Sequence, residues 1–226
     1  MPATYSTHDL PGGPRLAHAH LPESECSALS IYIPVGSRDE TGNIPTGLAH
    51  FSEHMAFKGT KTRSAKELTL AIESGGGQAN ACTSEDHTVY EAQGEAELMP
   101  VLIEVLADMV WHSTFPEHEI DLERDVIGEE ITMIRESPSD HIGDLLAAAT
   151  WPSHPLGQSI SGSVESIEKI TRSGLRNFVK VHHFRKDIVV ATAGPMSAEE
   201  ILATLLPLLP KNFNKPPLRL GYAPSP

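Results

Sequence analysis

Strand-type and helix-type hydrophobic periods occupy separate blocks of this chain, and their order restricts the fold more than any single motif does. Turn chemistry at Leu10-Pro11-Gly12-Gly13-Pro14 is followed by residues 15–21 and then by the alternating run Ala28-Leu29-Ser30-Ile31-Tyr32-Ile33-Pro34-Val35. That opening reads as a β-meander. A stretch rich in Gly, Pro, Asn and Asp, 36–46, delivers the chain into 47–57, where helix formers dominate up to Gly59. Ser64 with Glu67 forms a capping box for a second helix that closes at Gly75-Gly76-Gly77. Residues 78–83 and 86–92 then fit a hairpin. From 95 to 112, Leu98, Val101, Leu102, Val105, Leu106 and Met109 recur at helical spacing until Phe115-Pro116 breaks the pattern. Helices are expected after Pro116 to about Glu136, over 141–150 and over 173–183, with a Pro/Gly/Ser loop at 151–162. A strand at 187–193 and a helical stretch at 197–209 complete the order. This is an α+β pattern, a mixed and mostly antiparallel β-sheet packed against several α-helices.

The chain has 226 residues, enough to bury a core without disulfides, and its two cysteines, Cys26 and Cys82, build no framework. Seventeen Lys and Arg against thirty Asp and Glu give a net charge of −13, which opposes phosphate backbones and anionic lipid, so nucleic acid and membrane surfaces are not expected partners. The N-terminus has no basic and apolar leader pattern, and no window reaches the roughly 18 apolar residues of a spanning helix. A cytoplasmic chain is the expectation. Residues 210–226 are rich in Pro and read as a linker or tail, leaving one domain at 1–209.

Twelve histidines are too many to ignore, and two of them make the sharpest signal. In His50-x-x-Glu53-His54 the imidazoles lie four apart, one turn above each other on one helical face, a spacing suited to sharing a metal. Glu53 on that turn can hydrogen-bond a water at such a metal, the inverted order of the His-Glu-x-x-His proteases. Two helix-surface histidines flanking a glutamate would leave the same trace. A hydrolytic zinc site also needs a third protein ligand. In the helix after Pro116, Glu123, Ile127, Glu130 and Ile134 share one face, whereas Asp125, Glu129, Thr132 and Glu136 form the polar side. A carboxylate on an apolar stripe needs a partner or a metal, so Glu123 and Glu130 require an explanation that Glu129 does not. For Glu123 an ordinary ion pair with Arg124 or Lys66 is the alternative.

Four separated stretches, in register, resemble the inverzincin metallopeptidases, the family of pitrilysin, insulin-degrading enzyme and mitochondrial processing peptidase. They are Gly47-Leu-Ala-His-Phe-Ser-Glu-His-Met-Ala-Phe-Lys-Gly-Thr60, Gly77-Gln-Ala-Asn-Ala-Cys-Thr-Ser-Glu-Asp-His-Thr-Val-Tyr90, Glu123-Arg-Asp-Val-Ile-Gly-Glu-Glu130 and His154-Pro-Leu-Gly157. The resemblance implies the processing-peptidase-like fold, with His50, His54 and Glu130 as ligands of one Zn2+ and Glu53 as general base. It also implies Glu123 as a supporting carboxylate. The segment 77–83 looks like the family's edge strand, on which a peptide substrate adds, with Asn80 and the neighbouring Ala81 at substrate-holding positions; read alone, Asn80 is a turn-flanking asparagine. His87 is expected to be structural, His182 and His183 to end a helix where imidazolium complements the dipole, and Cys82 to have no catalytic role.

Family members generally pair two homologous halves, the second supplying an Arg and Tyr pair that orients substrate. The chain therefore resembles a metal-bearing catalytic half whose expected partners are a peptide and a second half, in cis or as a separate subunit. Three functions are compatible with that resemblance: a zinc endopeptidase, a non-catalytic binding or assembly module, and a peptide-maturation subunit active only with a partner. A scaffold has no use for Glu53, which favours the first.

Overall fold

The computed structural model describes residues 2–216. Six strands form one sheet: β1 (Thr4–Asp9), β2 (Arg15–His20), β3 (Cys26–Ile33), β4 (Gln78–Thr83), β5 (Thr88–Glu95) and β6 (Val189–Gly194), in the order β1-β2-β6-β3-β5-β4. The expected opening meander is only half realised. β1 and β2 pair as a hairpin around the Pro-Gly-Gly turn, but β3 never touches β2, because β6 lies between them. β6 runs parallel to β2, Arg15 opposite Val189, and antiparallel to β3, Ile31 opposite Val190. A parallel neighbour needs a long crossover, and the helices between β5 and β6 supply it. The link 21–25 has only to step across one extra strand position, roughly 10 Å.

Alternation fixes which face of the sheet is covered. In β3, Ser27, Leu29, Ile31 and Ile33 are buried while Cys26, Ala28 and Tyr32 are exposed. Leu16, Tyr90, Ala92 and Val190 continue the buried face across the other strands. The helices are α1 (Leu48–Ala56), α2 (Ala65–Glu73), α3 (Met99–His112), α4 (Glu117–Glu136), α5 (Pro138–Thr150), α6 (Val164–Ile167), α7 (Arg172–His182) and α8 (Ala198–Leu205). α3 is central to the core, burying Met99, Leu102, Ile103, Val105, Leu106 and Met109. Among the described residues, no helix is long and apolar enough to cross a membrane.

Local chemistry explains most element ends. The capping box of α2 forms as expected, with the Glu67 carboxylate accepting the Ser64 N–H at 2.8 Å. α5 begins at Pro138, three residues before the expected start, because proline at the first helical position has no N–H to lose. α6 is a single turn, which hydrophobic periodicity does not register; Ser163 and Ser166 cap it reciprocally.

Two expectations near the C-terminal side change. His182 and His183 are both buried, and His183 sets its ring against Tyr90 at 5.9 Å between centroids. Burial pushes the His183 pKa down to about 3, so it is a neutral core residue and not an imidazolium answering a helix dipole. Within the expected tail, Phe213 is buried against Trp111, 6.4 Å between centroids, and Asn214 donates from Nδ2 to the Lys180 carbonyl at 2.9 Å. The rest of the tail, 217–226, lies outside the described residues.

Candidate metal centre

α1 is positioned before it is functional. Leu48, Phe51, Met55 and Ala56 are buried in the core, which turns His50, Glu53 and His54 toward α4 and the end of β4. Its first residue follows Gly47, whose φ of 87° and whose Cβ position, 2.5 Å from the Ser161 carbonyl oxygen, both demand glycine. Glycine offers no side chain to cap the helix. Glu40 does so from a distance, accepting the N–H of Gly47 at 2.8 Å and of Ala49 at 2.6 Å. Burial pushes the Glu40 carboxyl up to about 8 against the pull of those donors. Glu40→Ala strands these buried N–H groups and is expected to lower stability by about 2–3 kcal/mol. Urea unfolding checks this, and a loss below about 0.5 kcal/mol, the scale of an ordinary surface change, would refute the capping role.

The motif residues converge. His50 Nε2 and His54 Nε2 are 3.2 Å apart, and Glu130 Oε2 of α4 lies 3.7 Å from the first and 3.8 Å from the second. Ligand atoms on a tetrahedral zinc lie roughly 3.3–3.5 Å apart, so the donor set fits that ion without rearrangement of the fold. These are also the only three metal-ligating side chains so grouped among the described residues. Burial, followed by the proximity of His54, pushes His50 down to about 4, leaving it a neutral imidazole with a lone pair to share.

Glu123 is buried, and its role differs from the ion pair weighed for it. Its Oε1 is 2.8 Å from His54 Nδ1 and its Oε2 is 2.5 Å from Lys58 Nζ. Arg124 instead pairs with Asp121 and donates to the Ile167 and Ile170 carbonyls. Burial works to raise Glu123, but His54 and Lys58 outweigh it and hold the carboxyl below its usual range. For His54, burial works downward and is overcome by the hydrogen bond and charge of Glu123, a net rise. A proton on Nδ1 shared with Glu123 leaves His54 Nε2 as the acceptor facing His50.

Glu53 is buried and accepts a hydrogen bond from the Thr83 hydroxyl at the last residue of β4. Burial raises its pKa, with the Thr83 hydroxyl pulling the other way. Glu129 is exposed, as expected for the polar side of α4. Asn80 stands exposed on the edge strand β4, and Ala81, half-buried, turns inward toward the core. His87 bonds Ser84 through Nδ1 at 2.9 Å and stacks on Tyr32, apart from the histidine pair. Thr83 and Lys58 escaped the sequence reading. Lys58 follows His54 by four, one turn on, and that spacing was available as a signal; for Thr83 the sequence holds none.

Residues 15–164 match the sequence profile of the family described as Insulinase (Peptidase family M16). The chain belongs to this family. Among M16-family relatives, it is 37% identical over 194 residues to a zinc protease of Mycobacterium leprae, covering 86% of this chain and 43% of that protein. It is 39% identical over 193 residues to the human mitochondrial-processing peptidase subunit beta, covering 85% and 39% respectively. The crystal structure of a putative M16-like peptidase from Alicyclobacillus acidocaldarius superposes with a TM-score of 0.85 at 26% identity, over 97% of this chain and 53% of that one. The chain thus spans less than half the length of the two relatives. The inverzincin resemblance and the mixed α+β sheet are both borne out.

Proposed function

We propose that the chain is the metal-bearing half of a zinc-dependent endopeptidase, in which His50, His54 and Glu130 hold one Zn2+ and Glu53 is the general base. The observation that carries this reading is the convergence of His50 Nε2, His54 Nε2 and Glu130 Oε2 beside a buried carboxylate on the same helical turn. Among the described residues no salt bridge engages Glu53, and burial raises its pKa and makes it a better base, the condition a proton acceptor requires. Zinc in this donor set supplies Lewis acidity toward a water and a peptide carbonyl oxygen. Glu53 accepts the proton of the attacking water and passes it to the departing amine. Thr83 holds the Glu53 carboxylate at the end of β4, and Glu123 with Lys58 holds the His54 tautomer.

The free edge of β4 suits a peptide added as a further strand, with main-chain contacts at Asn80 and Ala81. A homologous second half, in cis or as a separate subunit, would supply the Arg and Tyr pair and enclose the peptide; the length of the relatives supports it. An assembly module would need neither the buried Glu53 nor its Thr83 support. The test is metal content and cleavage together. The chain is expected to carry one zinc, and chelation to abolish cleavage of a quenched peptide by the assembly until zinc is returned. Cleavage that survives chelation would overturn the reading.

A further inference from the structure

The open face of the sheet carries a trough of about 450 Å³ that runs from the edge strand β4 across β5 and β3 to β6. Its walls are Gln78, Asn80, Glu91 and Gln93, and its floor is kept low by small residues such as Ala28 and Ala191. Apart from Glu91, the polar residues lining the trough carry neutral amides or hydroxyls. Glu91 is the single charged residue lining the trough, it is exposed, and among the described residues no hydrogen bond or ion pair engages its carboxylate. Register places it directly across the ladder from Asn80.

We propose that this trough is a specificity subsite for a basic side chain of the peptide, with Glu91 as its charge partner. The inference rests on the peptidase reading and deepens it. A peptide strand on the free edge of β4 lies about 10 Å from β5, two strand spacings away. Only a long side chain crosses that distance, passing over Asn80 to lie along the alanine floor. Lys and Arg have this reach, and both have an apolar stem for the floor and a cation for Glu91. The amides of Gln78 and Gln93 accept the remaining N–H groups of the cation. An acidic or short side chain gains nothing there. The chain's net charge of −13 favours the same class of peptide at longer range.

The test uses labelled peptides that differ only in one Arg or its neutral isostere citrulline, bound in the Glu53→Gln background so that nothing is cleaved. The Arg peptide is expected to bind about 5- to 10-fold more tightly, the strength of one charge-assisted pair at a partly exposed site. Glu91→Gln should erase that preference without changing citrulline binding, and Glu91→Lys should reverse it. An Arg preference that survives Glu91→Gln overturns the subsite. Cleavage of the Arg peptide by the assembly of both halves with Glu53 intact is measured in parallel, so the two readings fail separately. Glu91-dependent binding without any cleavage removes the peptidase reading and leaves the subsite standing. Cleavage indifferent to Glu91 removes the subsite alone.

Discussion

Glu53→Gln is expected to lower kcat for a quenched peptide by about 10²–10⁴-fold, the range for loss of a positioned general base, while zinc content stays at the wild-type level. The two halves of this result come from one geometry. Glu53 projects from the turn that carries His50 and His54, yet its carboxylate is engaged by the Thr83 hydroxyl of β4 and is not one of the three converging donors. Gln keeps the size and the hydrogen bond from Thr83 but cannot take a proton. Rates and inductively coupled plasma metal analysis on the same preparation decide the matter. Turnover within tenfold of wild type would remove Glu53 as the base, and loss of zinc would make it a ligand.

Zinc affinity should rank three of the glutamates of α4, Glu123, Glu129 and Glu130. Glu130→Gln is expected to weaken binding by more than about 100-fold, and Glu123→Gln by about 10–100-fold, the usual effect of losing a carboxylate that orients a ligand histidine. Glu129→Gln should leave affinity within about twofold, since surface changes away from such features are close to neutral. The ranking follows from position. Glu130 Oε2 faces both imidazoles, Glu123 reaches only the far nitrogen of His54, and Glu129 is exposed on the polar side of the helix, about 100° round from Glu130. Titration against a competing chelator measures all three, and equal losses for Glu129 and Glu130 would overturn the assignment of the third ligand.

The features legible in the sequence were those encoded within a turn or two of chain. The Ser64–Glu67 capping box, the β4–β5 hairpin after three glycines, and the shared face of Glu123 and Glu130 all depend on spacing alone, and each is present. What the spacing could not carry was which distant segments meet. β6 alternates in the same way whether it lies at an edge or between β2 and β3, so its insertion is decided by tertiary packing of Val190 beside Leu16 and Ile31. The same holds at the site. Helical periodicity puts Glu123 on a buried face but is silent on whether its cation is Arg124, Lys66 or Lys58. His183 misled because helix-end electrostatics applies to a solvated imidazole, and this one is sealed against Tyr90.

The central place of β6 also governs how this domain comes into being. Without residues 189–194 the sheet is two separate pieces, the β1–β2 hairpin and the β3–β5–β4 trio, with no backbone hydrogen bonds between them. A ribosome must therefore release almost the whole domain before the halves of the sheet can join, and non-local pairing of that kind is slow. Residues 15–164, the stretch that matches the family profile, contain every proposed metal ligand but not the strand that unites the sheet. The portion that holds the proposed ligands thus depends on a strand outside it to join its sheet.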